Sequence, residues 1–261
     1  MFSFNAPFYG SGASPSLACG FSPQPPSTLS AVFECTAIAS TPLGNGYWLV
    51  NGYRLATGFG QALNPLPQTD CVNTNATAQT WIGAASSPTG NGFTLVSFDG
   101  AVTGCGDVVL YGGLTGKPLN ALIVGIAGTP DGKGYWMVAA DGGVFAFGDA
   151  VFDGSLGGMH VNQPIVGRTA TSDGKGYWLV ASDGGVFAFG DAAFHGSMGG
   201  AALTAPVVGM AATPDDSGYW LAAADGGVFA FGTAPFEGSM GGTPLNAPVV
   251  GIAAFAPSVV G

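Results

Sequence analysis

The chain has 261 residues with 46 Gly and 18 Pro, yet 47% of it is hydrophobic. That apolar share excludes disorder, which needs few apolar residues and much charge, and there is no collagen period. Asp and Glu number 15 against 5 Lys and Arg, and Arg54, Lys117, Lys133, Arg168 and Lys175 form no cluster. Neither nucleic-acid binding nor attraction to anionic lipid is therefore expected.

Met1–Pro7 lacks the basic start and long apolar core of a secretory signal. Phe2–Ser11, FSFNAPFYGS, instead matches Phe229–Ser239, FAFGTAPFEGS, with one residue missing. Gly12–Thr28 is rich in Pro, Ser and Gly and predicts a long surface loop. A strand is expected near Cys35–Ala39 and another at Gly46–Val50, GYWLV. Pro65–Thr80 reads as an exposed loop that carries a small insertion; Asn75-Ala76-Thr77 in it is a glycosylation sequon. Phe93–Val96 fills the Tyr-Trp-Leu-Val slot in degraded form, and Phe98-Asp99-Gly100 supplies the turn after it.

From Leu122 onward the repetition is plain. Gly134–Gly148, GYWMVAADGGVFAFG, returns as Gly176–Gly190 and Gly218–Gly232, with Trp136, Trp178 and Trp220 each 42 positions apart. A fixed period of this size signals a repeat architecture. Each unit predicts four short strands. The first is Val-Val-Gly-Ile-Ala and the second Tyr-Trp-Leu-Val-Ala. An Asp-Gly-Gly hairpin turn leads to the third, Val-Phe-Ala-Phe-Gly. The fourth is expected around Phe152, Phe194 and Phe236.

Four strands in such a unit match one blade of a β-propeller. The strands are apolar on both faces and so need cover on both sides. The expected fold is an all-β, six-bladed propeller forming one domain over residues 1–261. Its blades fall at about 28–79, 80–121, 122–163, 164–205 and 206–247, with a split blade of 248–261 and 1–27. The run Ala247–Gly261 is too short to cross a bilayer as a helix and is broken by Pro248 and Pro257. No membrane insertion is expected.

The cysteines Cys19, Cys35, Cys71 and Cys105 fit no zinc spacing. Two local disulfides, Cys19–Cys35 and Cys71–Cys105, are the simplest of three connectivities and would suit an oxidising compartment. The alternative is that Cys35 and Cys105 are buried free thiols. Cys105 holds the position of Phe147, Phe189 and Phe231, which favours burial.

Chemistry is sparse. His160 and His195 are the only histidines, no nucleophile elbow, zinc-protease helix or P-loop occurs, and no catalytic residue is assigned. Asp99, Asp141, Asp183 and Asp225 recur at the hairpin turn. They would hold calcium only if their oxygens converged on one ion; capping of each Asp's own turn explains them more simply. No cofactor is therefore expected. The position held by Tyr9, Tyr111, Asp153, His195 and Glu237 varies between units, reads as exposed, and is the candidate ligand-binding surface.

Gly176–Ala192, GYWLVASDGGVFAFGDA, resembles a repeat of secreted and surface-associated proteins of actinobacteria and of phages of those hosts. The resemblance is strong over Leu122–Ala254 and weaker over Ala37–Asn120. The Asp-Gly-Gly-Val-Phe-Ala-Phe-Gly segment is more distantly similar to the propeller repeat of the regulator of chromosome condensation. The resemblance implies a β-propeller-like domain often attached to enzymes or wall-associated proteins, and no activity of the repeat itself.

Together these readings predict a non-enzymatic binding or structural module acting outside the cell, at a cell surface or in a virion. Its target would be a protein assembly or a cell-wall glycan. A phage tail or host-contact protein is one specific form. The alternative is a propeller hydrolase or lyase with its site at the central channel.

Overall fold

Neighbouring side chains of a strand point to opposite faces, so a strand that is apolar at every position must be covered twice. A computed structural model describes residues 35–42, 46–51, 56–62, 71–73 and 80–254. Its strands are β1 (Cys35–Ser40), β2 (Gly46–Asn51), β3 (Ala56–Gly60), β4 (Cys71–Asn73), β5 (Trp81–Ser86), β6 (Phe93–Ser97), β7 (Val102–Cys105) and β8 (Ile123–Gly128). They continue with β9 (Gly134–Ala139), β10 (Val144–Gly148), β11 (Ile165–Ala170), β12 (Gly176–Ala181), β13 (Val186–Gly190), β14 (Val207–Ala212), β15 (Gly218–Ala223) and β16 (Val228–Gly232). In β9 and β12 all six residues are buried, so both faces are covered. No helix occurs among the described residues, and none is long and apolar enough to cross a membrane.

The strands form five separate antiparallel sheets: β1-β2-β3, β4-β7-β6-β5, β8-β9-β10, β11-β12-β13 and β14-β15-β16. This corrects the expectation of a six-bladed propeller with four-stranded blades. Four sheets have three strands, no sheet closes on itself, and residues 248–254 form no strand. The missing fourth strand begins with a local turn. At the end of the third strand, Gly148, Gly190 and Gly232 adopt φ of 68°, 65° and 64°, a region that favours glycine. There the chain leaves the sheet edge, and Phe152, Phe194 and Phe236 lie in coil.

The one four-stranded sheet gains its extra strand from elsewhere. β4 comes from the segment read as an exposed loop and pairs with β7, placing Cys71 opposite Cys105. Cys105 is buried and disulfide-bonded. Residues 1–34 lie outside the described residues, so the terminal half-unit, Tyr9 and Cys19 do too.

Each hydrophobic core sits between two successive sheets. Trp136, Val138 and Val144 of one pack with Ile165, Tyr177 and Leu179 of the next, and Trp178, Val180 and Val186 pack with Val207, Tyr219 and Leu221. Tyr and Trp are adjacent in the second strands β2, β9, β12 and β15, and in β9 and β12 Tyr faces the preceding sheet and Trp the following one. Each buried large side chain contributes roughly 1.5–3 kcal/mol.

The first strands β1, β5, β8, β11 and β14 touch one another in that order. All five carry a bulge near their start. The residue after the bulge is glycine in the last four; a Cβ on Gly167 would stand 3.4 Å from Gly209 Cα. The C-terminal coil continues this series. A Cβ on Gly209 would meet Ile252 N at 3.7 Å, and one on Gly251 would meet Ile38 Cγ2 at 3.4 Å. The circuit of contacts thus returns to β1 through coil.

The turns after the first strands are latched across repeats. Pro88 and Pro130 press on Gly132 and Gly174, where a Cβ would stand only 2.8 and 2.7 Å from the proline Cδ. One latch differs. Ser172 replaces the proline and Asp216, at φ 58°, replaces the glycine. The N–H and hydroxyl of Ser172 donate to Asp216 Oδ2 at 2.7 and 2.6 Å. The two substitutions are therefore coupled. Ser172→Pro alone places a ring against the Asp216 side chain, whereas Ser172→Pro with Asp216→Gly rebuilds the common latch. Urea unfolding of the single and double variants should give a coupling energy of about 0.5–3 kcal/mol in favour of the pair; additive effects would refute the latch.

Candidate functional site

The segments after β10 and β13 are held by side chains from two repeats. Trp136, Trp178 and Trp220 donate from Nε1 to the carbonyls of Val151, Ala193 and Pro235 at 2.6, 2.7 and 2.7 Å. From the next repeat, the Tyr135, Tyr177 and Tyr219 hydroxyls donate to the carbonyls of Gly112, Gly154 and Gly196, each at 2.5 Å. The same hydroxyls accept from the N–H groups of Tyr111, Asp153 and His195 at 3.0, 3.3 and 3.1 Å. Burial pushes all three hydroxyls above the ordinary tyrosine pKa, so they remain protonated donors.

Phe152, Phe194 and Phe236 each follow the carbonyl that the tryptophan binds. These residues are 56%, 60% and 62% exposed. Three identical aromatic side chains, one per repeat, thus project into solvent from pinned backbone. Phe152 and Phe194 are held on both sides, by a tryptophan before and a tyrosine after. Loss of the fourth strand is what frees these rings. Their sequence context reads as core because an apolar residue at strand spacing is normally buried; the glycine before them was the available signal.

The variable position lies beside this row and divides into different roles. The Tyr111 hydroxyl donates to Gly132 O at 3.3 Å, and His195 Nε2 donates to Asp216 O at 2.9 Å. The His195 ring also packs on Tyr219, with centroids 5.5 Å apart. Both side chains therefore join one repeat to the next. Asp153 is half-buried, and its Oδ2 is enclosed without a hydrogen-bond partner. Glu237 and His160 are exposed.

The recurring aspartates cap their own turns. Asp141, Asp183 and Asp225 accept from the N–H groups of Gly143, Gly185 and Gly227 at 2.9, 2.9 and 3.0 Å. Asp99 accepts likewise from Ala101 at 3.2 Å and takes the Ser97 hydroxyl. No group of three or more potential metal ligands occurs among the described residues. At the circuit of first strands lies a cavity of about 320 Å³, lined by Ser40–Pro42, Ser86–Pro88, Thr129, Pro130, Ala212, Pro214 and Ala254. Thr41 and Thr129 hold their own turns there through the Gly46 and Gly134 backbone. No protein-family model matches the chain, and no curated protein matches it.

Tyr177→Phe should lower stability by about 1–3 kcal/mol in urea unfolding, because one buried acceptor and one buried donor lose their partner; an unchanged midpoint would contradict the staple. Asp183→Ala should cost about 1 kcal/mol, Asp183→Asn much less, and chelation by EDTA should leave the thermal midpoint unmoved. A drop on chelation would restore a metal role to the turn acids.

Proposed function

We propose that this chain is a non-enzymatic binding or structural module that acts outside the cell and engages a protein assembly or a cell-wall glycan. The row Phe152, Phe194 and Phe236 carries the reading. Rigid, exposed aromatic rings are costly to leave in water and supply large contact area with little entropy to lose. Repetition adds avidity, since weak contacts at linked sites combine without new chemistry. The other recurrent side chains are occupied inside the fold: Trp and Tyr in the staples, Asp in the turns. That leaves the phenylalanines as the repeated groups free to contact a partner. The net charge of −10 disfavours anionic polymers and suits a neutral glycan or a protein surface. A phage virion component at the tail or host contact is one specific form.

The test compares the parent with Phe152→Ser/Phe194→Ser/Phe236→Ser in binding to host wall fragments, to a glycan array and to purified virions. Exposed substitutions should move stability by no more than about 0.5 kcal/mol, while binding falls at least roughly tenfold, the loss of about 1.4 kcal/mol. Undiminished binding by the triple variant would sink the assignment of this row. Absence of the chain from virions by mass spectrometry would remove the virion form.

A further inference from the structure

At one place the repeat carries a charge where its fellows carry none. The fourth residue of the first strand is apolar in the neighbouring repeats: Ala84, Ile126 and Met210 all pair across the ladder with the same position of the second strand. In β11 the residue is Arg168, opposite Leu179. Its guanidinium lies 4.4 Å from the Trp136 ring and 4.7 Å from the Tyr177 ring, in the interface between the third and fourth repeats. Nε, Nη1 and Nη2 are all buried, and none has a hydrogen-bond partner. The ion pairs among the described residues are Lys133–Asp131 and Lys175–Asp173, so no carboxylate neutralises it. Asp153, of the same interface, does not reach it.

Ring faces return part of the cost of enclosing a cation. They satisfy none of its five N–H donors, and an enclosed unpaired charge is among the costliest features of a fold. Packing does not demand the arginine, since Ile126 and Met210 fill the same place. Burial lowers its pKa only to about 9, so the group stays cationic at neutral pH. We propose that the interface between the third and fourth repeats holds a small anion of chloride or formate size against the Arg168 guanidinium. The size limit follows from enclosure: the guanidinium nitrogens, Trp136 and Tyr177 are all buried, so Arg168 does not face the open groove that a sugar acid or a nucleotide would need.

Thermal unfolding at constant ionic strength, with sodium chloride or formate replacing gluconate, tests this. The parent midpoint should rise by roughly 2–4 °C as the small anion replaces the bulky one. Arg168→Met, which copies Met210, should fold and lose that dependence, while Asp153→Asn should keep it. Crystals grown with bromide should show an anomalous peak beside the guanidinium, a readout that needs no variant. Equal anion response in the parent and Arg168→Met, or no response and no bromide peak in the parent, would overturn the proposal.

Discussion

Adjacent tyrosine and tryptophan in the second strand of four of the five repeats set the whole assembly. A strand turns successive side chains to opposite faces, so the pair must pack in opposite directions. Tyr177 reaches back to the third repeat and Trp178 forward to the fifth. Each core is thereby an interface, and no sheet has a core of its own. The polar ends of both rings then find carbonyls outside the sheet, the Trp178 indole at Ala193 and the Tyr177 hydroxyl at Gly154. Those carbonyls belong to the two coils that flank the sheet. The same two residues therefore bury the core and fix the coil.

This arrangement explains why the chain tolerates a missing strand. In an ordinary sheet, peptide groups beyond the third strand would be satisfied by a ladder. Here the coil after Gly148 and Gly190 is satisfied by indole and phenol groups. Side-chain bonds of this kind leave the backbone free to turn its apolar residue outward. Exposed phenylalanines are thus a direct consequence of the clamp, and the part of the molecule best suited to recognition is held by the part best suited to stability. Where the insertion supplies β4, the outer edge of β7 is paired instead, and the equivalent residue Leu110 is only half-exposed.

Variation between repeats also acquires meaning from the interfaces. Ser172 and Asp216 look like unrelated drift along the sequence, 44 positions apart, yet they form one contact. Tyr111 and His195 differ in size and chemistry, but both donate to a carbonyl of the following repeat. Arg168 follows no such compensation: its neighbours are rings, and its donors have no partner in the protein.

Local chemistry was readable from the chain alone. The 42-residue period, the Asp-Gly-Gly turns with their capping aspartates and the apolar strands buried on both faces all depend on residues close in sequence. Six closed four-stranded blades were a wrong reading, because the fate of the fourth segment depends on distant partners. Phe152 has the look of a strand residue; Gly148 in its own repeat turns the chain, but nothing within that repeat says that Tyr177 will hold the coil there. The pairing of β4 with the second sheet and the enclosure of Arg168 between two rings are decided in the same way. Sequence by itself determined the repeating unit, since hydrogen bonds within a turn and alternation within a strand are short-range. Tertiary structure alone decided which aromatic rings are buried and which face water, since burial is a property of the neighbour that each face meets.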